Sequence, residues 1–162
     1  ICIANGVTSS EALVRAGNER VLKARLSDAE FFVKSDLTVK SSERRSKLSS
    51  VSFADTLGSL LDRVERVEYI ADLVLNQLVD INVDPVHLRK AAHFCKHDLV
   101  TNIVGEFPEL QGIMGGKYLL NEGETREVAL AVAEHYLPRF AGDKLPSSDM
   151  GNIISRSDKT LI

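Results

Sequence analysis

Apolar residues recur along most of this chain at steps of three and four, and nowhere do they alternate with polar ones for more than four residues. The clearest run is Leu57, Leu60, Leu61, Val64, Val67, Ala71, Val74, Leu75 and Leu78, which predicts an amphipathic helix of about six turns. Asp84-Pro85 then supplies an N-cap followed by proline in the first turn. Leu88, Ala92, Cys95, Leu99 and Ile103 predict the buried stripe of the next helix, ended by Gly105. Near the start, Thr8-Ser9-Ser10-Glu11 fits a capping box. It opens a long helical stretch through Leu13, Ala16, Arg20, Ala24 and Phe31, with a second nucleation point at Ser27-Asp28-Ala29-Glu30. Residues 35–52, rich in Ser, Lys and Arg, read as a loop or weak helix.

Glu106-Phe107-Pro108-Glu109 reads as a turn, because a residue before proline avoids helical backbone. Residues 110–120 predict a short helix whose Gly112, Gly115 and Gly116 permit close packing of another helix. Residues 124–136 predict an amphipathic helix stopped at Pro138, residues 139–149 a loop, and Ile153 and Ile154 a last helix. The pattern as a whole predicts an all-α fold.

Composition adds little to that expectation. With 44% hydrophobic and 27% charged residues the chain is an ordinary globular one, long enough for one domain with a core or one domain plus an appendage. No stretch approaches the roughly 18 consecutive apolar residues of a membrane helix, so no membrane partner is expected. The first residue is Ile1 and no signal-peptide pattern opens the chain, which reads as a piece of a longer polypeptide. Cys2 and Cys95 lie far apart without a CxxC and are expected to be free thiols. A net charge of −3 is unhelpful to a free-standing RNA binder. The basic clusters (Arg15, Arg20, Lys23 and Arg25; Arg44, Arg45 and Lys47; Arg63 and Arg66) stand among acids such as Glu19, Asp28, Asp62 and Glu65, as solvated helix faces do.

Candidate chemistry is sparse. His93 and His97 are spaced i, i+4, as zinc ligands on one helical face would be, but Phe94 stands where a zincin needs its glutamate. The favoured reading puts both histidines with Lys90 and Thr101 on the polar side of a helix, and His87 and His135 at the surface or at caps. Residues 112–116 lack the Lys-Ser/Thr that follows a phosphate-binding glycine loop, and no nucleophile elbow is present.

Residues 98–114 read DLVTNIVGEFPELQGIM, and this block resembles the β subunit of the heterotetrameric glycyl-tRNA synthetases. Three more blocks follow that family's order and spacing: GNERVLKARLSDAEFF (17–32), LGSLLDRVERV (57–67) and EHYLPRFAGDKLP (134–146). The resemblance implies an HD-domain-like helical bundle over residues 36–162 with an N-terminal long helix over 1–35. It also implies an α2β2 assembly in which the α subunit makes glycyl-adenylate with ATP and magnesium, while β handles tRNA(Gly). On that basis Asn18, Arg20, Lys23, Arg25, Arg63, Arg66 and Arg139 become candidates either for RNA contact, where the arginine fork suits phosphate, or for buried polar networks. The compartment would be the cytoplasm in a bacterium, and a plastid or mitochondrion in a eukaryote.

His97-Asp98 is similar to the metal-binding doublet of HD phosphohydrolases, with Asp158 where their last carboxylate falls. The place of the early histidine reads Ser52-Phe53-Ala54-Asp55, so the resemblance implies a degenerate site that binds no metal, and no cofactor in this stretch. At the end, a helix of the type Ala-Asp-Lys-Leu-Asp-Thr-Leu is replaced by Ser157-Asp158-Lys159-Thr160-Leu161, shorter by two residues and by one carboxylate. Two other readings stand beside this one: a residual metal-dependent phosphohydrolase, and a structural subunit of another assembly.

Overall fold

The computed structural model describes residues 3, 5–54, 56–79 and 81–161. They form an all-helical fold interrupted by one two-stranded hairpin. Helix α1 (Glu11–Asp36) is followed by α2 (Ser41–Lys47), strands β1 (Ser52–Ala54) and β2 (Gly58–Ser59), α3 (Leu60–Gln77) and α4 (Pro85–Phe94). After short 3-10 turns come α5 (Asn102–Glu106), α6 (Ile113–Asn121), α7 (Arg126–Glu134) and α8 (Asp149–Lys159). Among the described residues no helix is long and apolar enough to cross a membrane.

The main core joins α3, α4, α7 and α8. Val64, Val67, Leu88, Ala92, Cys95, Val128, Val132 and Ile154 are fully buried there. A second cluster of Ile103, Val104, Met114 and Tyr118 takes Ala29, Phe32 and Val33 from the C-terminal third of α1. The rest of α1 stands apart: every residue from 11 to 28 is exposed, including Leu13, Val21, Leu22 and Leu26.

Local chemistry sets several boundaries away from those the pattern predicts. The long apolar helix begins at Leu60 rather than Leu57, because Ser59 and Asp62 form a reciprocal capping box and Gly58, at φ 82°, turns the chain out of the hairpin. The stripe from Leu88 to Ile103 does not lie on one helix. Helix α4 stops at Phe94, a 3-10 turn spans His97–Val100, and α5 restarts where Thr101 caps its first turn and the Asp36 carboxylate accepts from the Asn102 and Ile103 amides. Gly105 therefore lies inside α5, and the helix ends at Glu106 before the proline turn. Leu99 is half-buried between the two clusters.

Helix α1 runs unbroken through Ser27-Asp28. The capping box expected at Thr8–Glu11 rests on the Thr8 side chain, which lies outside the described residues, as does Cys2. The helix itself starts at Glu11, with Ser10 at its N-cap making no side-chain cap bond.

Candidate functional site

The block 98–114 folds into a loop closed by its own first residue. Asp98 is fully buried, and its Oδ2 accepts from the Gly112 amide at 2.7 Å and the Gly115 amide at 2.9 Å. Gly112 sits at φ 79°, a left-handed backbone that a side chain would strain, and a Cβ there would meet the Ala133 carbonyl oxygen at 3.2 Å. Arg139 fastens the same loop from outside, donating to the Glu109 carbonyl at 3.0 Å and the Gln111 carbonyl at 3.1 Å. The EFPELQG segment is thus held by a carboxylate on one side and a guanidinium on the other.

The base of α1 is fixed to this loop by Asp36. One carboxylate oxygen takes the Asn102 amide and side chain, and the other takes the Ile103 amide and the Tyr118 hydroxyl at 3.0 Å. Buried Arg44 donates to the Asp36 carbonyl and lies over the Tyr118 ring, 4.2 Å from its centroid. Further out, Arg25 lies 5.0 Å above the Phe107 ring and 3.4 Å from the Glu106 carboxylate. Arg20 and Lys23 lie beyond that contact, exposed and, among the described residues, held by no ion pair.

Asp158 centres a second polar network, whose Lys96 lies two residues from Asp98 in the chain. Its Oδ1 takes Arg63 Nε at 2.9 Å and its Oδ2 takes Lys96 Nζ at 2.7 Å, with all three side chains less than a tenth exposed. The flat guanidinium of Arg63 is covered by Phe53 of the hairpin at 4.2 Å, and the Lys96 ammonium sits 3.9 Å from the Tyr136 ring centroid.

The candidates singled out in the sequence therefore separate. Asn18, Arg20, Lys23 and Arg25 share α1, while Arg66 is half-buried and donates to the Leu57 carbonyl at 2.9 Å. Arg63 is an interior residue rather than a surface one, its fork spent on Asp158. His97, expected on a polar helix face from its spacing, is fully buried at the head of a 3-10 turn; its Nδ1 lies 2.6 Å from the Phe94 carbonyl, and burial holds it down at about 4. His93 pairs instead with Glu68 at 3.1 Å. His135 caps α7 but is sealed from solvent, and burial keeps it well below the usual imidazole range. Asp98 and Asp158 are held by different protein donors. Among the described residues, no group of three or more His, Cys, Asp or Glu side chains is placed to hold a metal ion.

The sequence pattern described as Glycyl-tRNA synthetase beta subunit matches residues 1–161. The chain belongs to that family. A relative in Trichodesmium erythraeum, named glycine--tRNA ligase beta subunit, is 46% identical over 98% of this chain and 22% of its own length. One of the same name in Geobacter metallireducens is 49% identical over 98% of this chain and 23% of its own. A third, in Neisseria meningitidis, is 46% identical over 98% of this chain and 23% of its own. The chain spans about a fifth of the length of these β subunits.

Of three buried anchors in this chain, two are not evident as such in the sequence. Asp36 has no local partner to announce it, since its donors lie 66 to 82 residues away. Lys96 reads as one more surface lysine but is only 4% exposed. Glu134 carries a legible signal, the Ser147-Ser148 pair ahead of α8. Its two oxygens take the amides and hydroxyls of both serines and so tie α7 to the start of α8.

Proposed function

We propose that this chain is a tRNA-contacting and scaffolding part of a glycine–tRNA ligase β subunit. It supports ATP-dependent attachment of glycine to tRNA(Gly), and glycine activation falls to an α subunit in an α2β2 assembly. The carrying observation is the exposed pair Arg20 and Lys23, without an ion pair among the described residues, on a helix anchored at its base by Asp36. A spacing of three places both cations on one side of α1, where they project from the body toward a polyanion rather than into the protein's own carboxylates. The relatives' name supplies the reaction class. Of the two buried carboxylates at the HD-like positions, Asp98 takes the Gly112 and Gly115 amides on one oxygen and Asp158 takes Lys96 and Arg63.

The test is Arg20→Glu with Lys23→Glu in the complete enzyme. Aminoacylation should fall through weaker tRNA binding, with the salt slope of tRNA affinity shallower by about one for each phosphate no longer neutralised. Glycine-dependent pyrophosphate exchange should stay near the wild-type rate. Normal charging with an unchanged slope would make α1 a scaffold only, and loss of pyrophosphate exchange would place its action on the α subunit.

A further inference from the structure

Helices α6 and α7 pack closely because Gly116 lacks a side chain: a Cβ there would stand 2.5 Å from the Ala129 carbonyl oxygen and 3.1 Å from the Ala133 methyl. Their outer face is a groove of about 220 Å³ with those small residues as its floor. Its walls are Ile113 and Leu120 from α6 and Leu130 from α7, which are 38%, 49% and 39% exposed. The only charged residues lining it are Lys117 and Arg126, and among the described residues neither has an ion-pair partner. An apolar floor offers a sugar–phosphate backbone nothing, since phosphate contacts need donors along the track. The ridge of an amphipathic helix fits such a groove, and the two basic residues call for carboxylates beside its apolar stripe.

We propose that this groove seats a helix with apolar residues at i, i+3 or i+4, and i+7, flanked by Asp or Glu, supplied by the remainder of the same β polypeptide. Two facts favour that source. This chain spans only 22–23% of the related β subunits, so most of such a polypeptide lies outside it and is available to pack on this face. The uncompensated positive charge selects an acidic helix over another copy of this same basic face. The proposal rests on family membership and not on the tRNA reading of α1.

The test places a photo-crosslinking phenylalanine analogue at Leu130 in the complete enzyme, assembled from an equal mixture of isotopically heavy and light β chains. The expected product joins Leu130 to an acid-flanked helical peptide of β in heavy–heavy and light–light form only. Lys117→Glu with Arg126→Glu should cut its yield several-fold. Mixed heavy–light products would assign the groove to a second β copy and overturn the proposed source. Crosslinks to the α subunit or to RNA, or recovery of no crosslink above that of an analogue at exposed Glu127, would each overturn the proposal. Because pyrophosphate exchange and tRNA salt dependence do not enter this readout, its failure is distinguishable from failure of the tRNA reading.

Discussion

Asp98 and Asp158 are both withdrawn from solvent, at 0% and 6% exposure, and both would be expected to resist ionisation. They behave oppositely. Burial pushes the Asp98 carboxyl up to about 6, and the amides of Gly115 and Gly112 only partly offset it. At Asp158 burial acts in the same sense, but the ammonium of Lys96, helped by Arg63, holds the carboxyl below its ordinary value. Two N–H dipoles position a carboxylate, whereas two full charges also keep it ionised. The first arrangement closes a loop within 17 residues, and the second joins α3, the segment after α4 and α8 across the main core.

The largest expected effect is on the charged network. Asp158→Ala strands two buried cations and should cost about 3–5 kcal/mol, read as a lower denaturation midpoint at unchanged slope. A loss below about 1 kcal/mol would mean that water reaches Lys96 and Arg63. Gly115→Ala probes the other carboxylate: its Cβ would stand 3.2 Å from the Asp98 carboxyl carbon and 3.1 Å from Val132, so a loss of about 1–3 kcal/mol is expected. Retained wild-type stability would show that the loop gives way without cost.

The pH dependence separates the two sites by sign. A raised carboxyl favours folding fully only below its unfolded value, and that contribution is lost as pH rises through the folded one. Replacing Asp98 by Asn should therefore remove a term that lowers wild-type stability by about 1 kcal/mol between pH 5 and 7. Asp158 is lowered, so its contribution is present above the unfolded value and lost as pH falls. Asp158→Asn should flatten the acid limb below about pH 4. Difference curves against wild type that slope the same way would refute the contrast. The smallest change belongs to α1: Arg20→Glu with Lys23→Glu should shift stability by less than about 0.5 kcal/mol, because neither side chain is buried or, among the described residues, ion-paired. A larger thermal-melt shift would reveal a packing role on that helix.

Helix class, the Asp84-Pro85 start and the final helix are legible because capping chemistry and apolar spacing are local signals. The break between Phe94 and Asn102 is not, since the apolar stripe continues across it and the carboxylate that restarts α5 belongs to Asp36, far back in the chain. The same limit governs the site residues. Arg20 and Arg63 look alike in sequence, each in a helix rich in acids. The distant Asp158 makes Arg63 an interior residue, while among the described residues no distant carboxylate pairs with Arg20. Helical spacing puts His97 on the wet side of a continuous helix, and the 3-10 turn rotates it into the core instead.

Asp36, the last residue of α1, gathers the start of α5 and the Tyr118 hydroxyl on one carboxylate. Mechanically, this makes α1 a lever with its fulcrum at one end. At 1.5 Å per residue, the exposed stretch from 11 to 28 is about 27 Å long. The tip at Glu11 lies about 38 Å from Asp36, so a tilt of about 10° at the fulcrum would carry it by about 6.5 Å. A small adjustment at that end would be magnified along α1, and Arg20 and Lys23 would move less than Arg15, which lies nearer the tip.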